Sequence, residues 1–207
     1  APTLEVVDQT THSITLSWEA VDGADEYILE RRKKPNMLMA ALSFIPFNVN
    51  SDGFEEVYRG NGNEFTDTGL MRGTRYEYRI RAVNQAGESE LATKEAFTYQ
   101  IVTFHWFPVK DKDGNEAVEY IVEKNGQEIG RTSNTFYTDD RAVPGEMNLY
   151  RAIPVFDDGT MADPIEFDDI EIPEGEEDVQ LDPPNEPEPT EPEQPEEENP
   201  EDPEQPE

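Results

Sequence analysis

The stretch Glu26-Tyr27-Ile28-Leu29-Glu30 decides the fold, because it returns later as Glu119-Tyr120-Ile121-Val122-Glu123. Each copy is preceded by an alternating apolar run that ends in a tryptophan, Trp18 in the first case and Trp106 in the second. Strict alternation of apolar and polar residues is typical of strands with one buried face. A pattern that recurs in the same order predicts two tandem all-β modules.

Residues 1–97 carry seven strand signals separated by turn residues such as Asp22-Gly23 and Ala86-Gly87. This count in fewer than one hundred residues, with almost no helical periodicity, is typical of a β-sandwich. The large aromatic residues on the alternating runs are the predicted core of the two modules: Trp18, Tyr27, Tyr76, Tyr78, Trp106, Tyr120 and Tyr150.

Three motifs in this region carry a family resemblance: Pro2-x-Leu4-x-Val6, Ile14-x-Leu16-x-Trp18 and Leu70-x-x-Gly73-Thr74-x-Tyr76-x-Tyr78. Together they resemble the fibronectin type III module over almost all of residues 1–97. The resemblance implies an immunoglobulin-like β-sandwich in which Tyr76 forms a tyrosine corner, its hydroxyl bonded to nearby backbone. Arg72 departs from the pattern, since the family usually has proline there.

Residues 98–172 resemble the same module more weakly. Trp106 and Tyr120 match, but Asn148 stands where the corner tyrosine is expected. Trp106 follows directly after the closing strand of module one, so the first strand of module two is missing. Two arrangements are open: one continuous strand serves both modules, or the second sandwich has an uncovered edge.

Residues 173–207 differ in composition from the rest. They contain 16 acidic residues, no Lys or Arg, and 10 of the 17 prolines. Such a segment offers too little apolar surface to offset the entropy lost on ordering. We therefore expect a disordered, extended acidic tail after residue 172.

The charge of the chain bounds its partners. It holds 48 acidic against 16 basic residues, a formal charge of −32, which disfavours binding to nucleic acid or to anionic lipid. With no cysteine, disulfides and thiolate metal sites are excluded. No apolar run is long enough for a membrane span. The first residue is alanine, which fits a mature exported chain or a fragment.

An apolar insert at 35–53 interrupts module one, where the resemblance implies a short turn. Two interpretations are open: the insert folds over its own sandwich or between the modules, or it is a docking surface for a protein or an apolar ligand. The candidate docking residues are Met37, Leu38, Met39, Leu42, Phe44, Ile45 and Phe47.

Catalytic, cofactor and metal sites are not predicted. The acidic loop 111–116 has its glycine too early for an EF-hand, and a turn between strands explains it better. Asp139-Asp140 is interpreted as an exposed turn. Both histidines, His12 and His105, are expected to face solvent. No nucleophile elbow or zinc-binding helix motif occurs.

The function expected from these features is non-catalytic. The leading hypothesis is an extracellular spacer or protein-interaction module pair of a surface-attached or secreted protein, with cell wall or polysaccharide as a further possible contact. One alternative is a subunit that self-assembles into a surface fibre by strand addition at the missing strand. Another is an accessory carbohydrate-binding region of a polysaccharide-degrading enzyme, which would need exposed aromatic side chains.

Overall fold

The computed structural model describes residues 1–35 and 52–184. These residues form strands and no helix, which confirms the all-β prediction. The strands are β1 (Leu4–Gln9), β2 (Ser13–Trp18), β3 (Glu26–Lys33), β4 (Glu55–Gly60), β5 (Glu64–Thr68), β6 (Arg75–Asn84), β7 (Gly87–Glu88), β8 (Ala92–Phe97), β9 (Gln100–His105), β10 (Glu119–Lys124), β11 (Gln127–Thr132), β12 (Phe136–Ala142), β13 (Met147–Asn148), β14 (Tyr150–Val155), β15 (Ile165–Glu166), β16 (Ile170–Glu171) and β17 (Val179–Leu181).

Module one consists of two antiparallel sheets. One has the order β1-β2-β5, and the other has the order β4-β3-β6, with β7 and β8 also pairing with β6. The alternation read from the sequence matches the burial along β2 and β6, where every second side chain is buried. The inward side chains of the two sheets meet in one core.

Aromatic contacts organise that core. The rings of Trp18 and Tyr27 have centroids 5.8 Å apart, and Trp18 also lies 5.5 Å from Tyr58. The backbone N–H of Met71 donates to the Tyr76 hydroxyl at 3.0 Å, which forms the tyrosine corner. Burial of each large aromatic side chain contributes on the order of 1.5–3 kcal/mol to the folded state.

Module two repeats this plan over β9 to β15. Strand β9 pairs with β12, and β10 lies between β11 and β14. Trp106 contacts Tyr120 with ring centroids 5.1 Å apart, as Trp18 contacts Tyr27 in module one. A second core forms between these sheets, separate from the first. Asn148, at the position expected for the corner tyrosine, is buried and accepts a hydrogen bond from Asn125 at 2.8 Å.

The first strand of module two comes from the other end of the module. Strand β17 lies beside β9 on the side opposite β12, in the sheet order β12-β9-β17. In module one the same place beside β2 belongs to β1. Neither expected arrangement is correct: β8 and β9 belong to different sheets, and the edge of β9 is covered along residues 102–104.

This covering strand also corrects the predicted start of the tail. We expected disorder from residue 173, yet residues 173–184 lie within the described part and Val179 is buried in the core of module two. Average composition hid the short alternating run Val179-Gln180-Leu181. Two apolar residues are enough to order this segment, because the edge of β9 offers unpaired backbone N–H and C=O groups with which it can form hydrogen bonds.

The parallel direction of β17 follows from the position of the residues that precede it. Ile172 lies at the junction of the modules, where its carbonyl accepts the N–H of Gly145 at 2.7 Å, and the Gly175 N–H donates to Gly73 O at 2.8 Å. From there the chain runs away from module one, parallel to β9. Strand β1 runs towards the junction, since Thr10 O accepts the N–H of Tyr99. Leu4, at the start of β1, and Leu181, at the end of β17, therefore lie at opposite ends of the module pair.

Candidate functional site

The predicted docking residues of the insert, Met37, Leu38, Met39, Leu42, Phe44, Ile45 and Phe47, lie outside the described residues. The seven predicted core aromatics, in contrast, are all buried and divide between the two cores as four and three: Trp18, Tyr27, Tyr76 and Tyr78, then Trp106, Tyr120 and Tyr150. At the junction of the modules the chain brings together residues from four separate segments.

The direct connection between the modules is two residues long. Thr98 and Tyr99 join the end of β8 to the start of β9. The Thr98 hydroxyl donates to Met71 O at 2.6 Å and accepts the N–H of Thr74 at 3.0 Å. The Thr98 side chain is thus held by the loop that precedes β6, and the connection has little freedom of its own.

A buried glutamine forms the second contact. Gln100 is 1% exposed, and its side-chain Nε2 donates to Gly175 O at 2.7 Å while its Oε1 accepts the N–H of Ile101. Gly73 lies against the same group with φ of +57°, and a Cβ there would come within 2.6 Å of Gly175 O. Glycine is therefore required at position 73 both by its backbone conformation and by this close approach.

We call residues 173–181 the strap; it consists of a hinge loop, 173–178, and β17. Two arginines of module one bind it. Arg72 pairs with Asp178 at 2.6 Å and also donates to the carbonyl of Glu176. Arg75 pairs with Glu174 at 3.1 Å and donates to Pro144 O at 2.5 Å. We call these contacts of Arg72 and Arg75 the clamp.

The clamp joins charges of opposite sign across the junction. Arg72 is only 15% exposed, whereas its partner Asp178 is 66% exposed, so the pair is partly screened by solvent. Pairs of this kind contribute up to about 1 kcal/mol each. The clamp therefore acts together with the main-chain bond between Gly73 and Gly175 and with Gln100, rather than through one strong ion pair.

Both modules contain the same buried carboxylate arrangement. The Tyr78 hydroxyl donates to Asp67 Oδ2 at 2.8 Å, and Arg31 donates to Asp67 at 2.8 Å. Burial, followed by the nearby Asp67 charge, raises the pKa of Tyr78 well above its ordinary value. The acid–tyrosine pair thus crosses the core of module one as a satisfied polar contact.

Module two repeats the arrangement with lysine in place of arginine. The Tyr150 hydroxyl donates to Asp139 Oδ2 at 2.8 Å, and Lys124 Nζ donates to the same oxygen at 2.9 Å. Burial and the Asp139 charge raise the pKa of Tyr150 in the same way. The expectation of an exposed turn is wrong for Asp139, which is buried, while Asp140 is exposed. The spacing of eleven residues to the following tyrosine, common to both modules, was the signal that sequence reading missed.

The acidic loop 111–116 closes on itself. The carboxylate of Asp111 accepts the side-chain amide of Asn115 at 2.9 Å and the backbone N–H groups of Asp113 and Asn115. These hydrogen bonds, the Asn115 side chain first, lower the pKa of Asp111. Within residues 1–35 and 52–184 no group of three or more acidic or histidine side chains is placed to hold a metal ion.

The two histidines have modest contacts. His12 Nδ1 lies 3.0 Å from Leu70 O, next to the junction. His105 is exposed, and its Nε2 lies 3.2 Å from Gln180 Oε1 on the outer face of the sheet that contains β17. His105 thus marks the outer face of the strand pair β9 and β17, while Val102 and Phe104 mark the inner face.

Basic side chains on the outer face of module one are paired with carboxylates. Arg79 and Arg81 both bind Glu30, at 2.8 and 2.6 Å, and Arg59 binds Glu26 at 2.7 Å. The hydrogen bond from Arg79 is the main cause that lowers the pKa of Glu30. This face is therefore a mixed ion-pair surface and not a basic patch for polyanions.

Strap residues were missed by sequence reading because each looked ordinary alone. Arg72 was noted only as a departure from proline, and Arg75 as part of a strand. The useful signal is the combination of Arg72, just before β6, and Arg75, its first residue, with four acids in the hinge loop. These acids are Glu174, Glu176, Glu177 and Asp178. Opposite charges one hundred residues apart meet only once the parallel path of β17 is known.

The described residues contain no helical segment that could span a bilayer. Residues 1–99 match the family model described as fibronectin type III domain. Similar solved structures include a mutant of FN3tt, 21% identical over 48% of this chain and 91% of that chain, with a TM-score of 0.35.

Two further similar structures come from different sources. A Fn3-like protein from Clostridium thermocellum is 25% identical over 48% of this chain and 88% of that chain, with a TM-score of 0.33. The fn3 domain of human collagen alpha-1(XX) chain is 19% identical over 48% of this chain and 86% of that chain, with a TM-score of 0.38. The family match, the tyrosine corner and the two sheets agree: the N-terminal module, residues 1–99, is a fibronectin type III domain.

Proposed function

We propose that this chain is a non-catalytic spacer that holds two attachment points at a fixed separation in an exported or surface-attached protein. The observation that carries the proposal is the path of the strap. Without it, the chain would leave module two beside module one, where Ile172 lies. With it, the chain crosses module two along β9 and leaves at the far end.

A spacer needs a stiff joint as well as separated ends. The two-residue connection is held by Thr98, and the hinge loop is bound by Arg72, Arg75 and Gln100. Contacts between domains of one chain are often small enough to permit relative motion. Here a main-chain hydrogen bond, a buried amide and two ion pairs act on the same short loop, which favours one orientation.

Modules of the fibronectin type III family are generally non-catalytic and are common in extracellular proteins. This supports the non-catalytic and exported parts of the proposal. The acidic, proline-rich composition of residues 185–207 is suited to an extended connection beyond the second attachment point.

The two alternatives gain less support. Strand addition by another subunit was motivated by an uncovered edge, and β17 now covers β9. Carbohydrate binding was expected to need exposed aromatic side chains, and the two tryptophans, Trp18 and Trp106, are both buried. Protein interaction stays compatible with the spacer, since a spacer has a partner at each end.

The spacer is tested by the distance between its two ends. The chain has no cysteine, so Thr3→Cys and Asp182→Cys, both at exposed positions, allow spin labels to be placed beside β1 and after β17. We expect pulsed electron spin resonance of the dilute monomer to give one narrow, long distance. A broad distribution in the parent chain would contradict the proposal.

Variants of the clamp supply the control. Arg72→Ala with Arg75→Ala should broaden the distance distribution, because both ion pairs to the hinge loop are removed. The matched pair Arg59→Ala with Arg131→Ala removes the same number of arginines from ion pairs inside each module. That second variant should leave the distribution unchanged.

A further inference from the structure

Strand β17 is held by few contacts for a strand that completes a sheet. It pairs with β9 over three residues, Val179 to Leu181, and its apolar side chains are one buried valine and one partly buried leucine. Short parallel pairing contributes less per residue than antiparallel pairing. Release of β17 therefore costs much less than unfolding of module two.

The place that β17 fills is built by the rest of module two. Strand β9 is fixed on its other side by β12, and Val102 and Phe104 are part of the core. Without β17 the outer edge of β9 would present unpaired N–H and C=O groups beside an apolar gap. Such an edge can pair with any strand of suitable length and pattern. A second copy of this chain carries a β17 strand identical to the one that normally occupies the edge.

The hinge loop has the length and charge for an open form. Its six residues span up to about 20 Å when extended. Four of them are acidic, Glu174, Glu176, Glu177 and Asp178, and their mutual repulsion favours extension once the clamp is released.

We propose that β17 exchanges between two copies of this chain, the Val179–Leu181 strand of each completing the β9 edge of the other. The hinge loop, released from Arg72 and Arg75, connects the two copies. Exchange preserves the contacts between β17 and β9 but loses the clamp. The clamp therefore favours the closed monomer over the exchanged dimer. The exchanged dimer is a pair of spacers joined at module two, a role beyond the single spacer.

Exchange is tested by a cross-link that only a strand from another copy can make. Thr103 and Gln180 lie opposite each other in the pair and face outward. One chain carries Thr103→Cys, and a second chain, labelled with ¹⁵N, carries Gln180→Cys. The two full-length chains are mixed, equilibrated at high concentration and oxidised with glutathione. We expect a 103–180 link between labelled and unlabelled chains, identified by mass spectrometry, whose yield rises with concentration.

Two controls make the result decisive. A mixture of the Thr103→Cys chain with a Thr93→Cys chain measures random collision, because Thr93 is an exposed residue of module one. Circular dichroism confirms that each single variant is folded. A 103–180 yield no higher than the 103–93 yield would overturn the proposal.

The competition gives a second readout. Arg72→Ala with Arg75→Ala in both chains should raise the 103–180 yield several-fold, since the closed form loses its clamp, while Arg59→Ala with Arg131→Ala should not. An unchanged 103–180 yield in the clamp variant would overturn the claim that the clamp opposes exchange. The end-to-end distance of the dilute monomer is measured separately, so loss of exchange and loss of the spacer function are distinguishable.

Discussion

Val179 lies opposite Val102 in a parallel strand pair, and this pairing joins β17, the last described strand of the chain, to β9. Val179 packs in the core that Val102 and Phe104 line. The segment that completes module two also touches Gly73 and Arg72 of module one. Stability of the second sandwich and orientation of the two modules therefore depend on the same nine residues, the strap.

Val179→Asp should destabilise module two by about 3 kcal/mol, because it buries an unpaired charge where an apolar side chain packs. Gln180→Asp is the matched control, since it places the same charge on the same strand facing solvent. Urea denaturation followed by tryptophan fluorescence measures both. Equal effects of the two variants would mean that β17 does not pack as described.

Truncation separates the strap from the residues that follow it. Removal of 185–207 should leave the melting temperature nearly unchanged, because this segment contains no aliphatic or aromatic residue. Removal of 173–207 should lower the stability of module two by about 3 kcal/mol or more, from the lost burial of Val179 and Leu181 and the unpaired edge of β9. Differential scanning calorimetry of the two truncated chains decides this, and coincident transitions would refute the role of the strap.

Asp139→Ala should destabilise module two by about 3–5 kcal/mol, the usual cost of breaking a buried ion pair by removing one partner. Lys124 and the Tyr150 hydroxyl would both lose their acceptor. Asp140→Ala, one residue on and exposed, should change stability by less than about 0.5 kcal/mol. Similar unfolding midpoints for the two variants would contradict the buried carboxylate.

Alkaline pH should weaken the fold through Tyr78 and Tyr150. Their folded-state pKa values lie above the ordinary value near 10, so above pH 10 the folded state holds protons that the unfolded state has lost. The contribution of the two tyrosines to the free energy of unfolding is fully present below about pH 10. It falls as pH rises further, by up to about 1.4 kcal/mol per pH unit for each tyrosine. Tyr150→Phe should make the decline shallower in chemical denaturation between pH 9 and 12. A slope identical to the parent would refute the assignment.

Sequence patterns predicted the part of the fold that rests on alternation. The runs ending in Trp18 and Trp106 and those beginning at Tyr78 and Tyr150 place their inward side chains in the cores that the structure shows. Alternation can be recognised in the sequence because each strand has one buried face. The sequence also showed that module two lacks a first strand ahead of the run that ends in Trp106.

The strap was not predictable in the same way. Val179-Gln180-Leu181 is too short for a periodic signal and is surrounded by acids and prolines. Its position depends on a vacant edge that other strands create, which is long-range information. Asp139 was misread for a related reason: an acid between strands is usually exposed, and only the facing Tyr150 and Lys124 make it a core residue.

Nuclear magnetic resonance of the full chain gives the most direct check that β17 completes the sheet of β9 and β12 in module two. We predict nuclear Overhauser contacts in the parallel pattern between Val179 and Val102 and between Leu181 and Phe104, with slow amide exchange along β17. Random-coil chemical shifts for Val179–Leu181, without contacts to β9, would mean that β17 does not pair with β9.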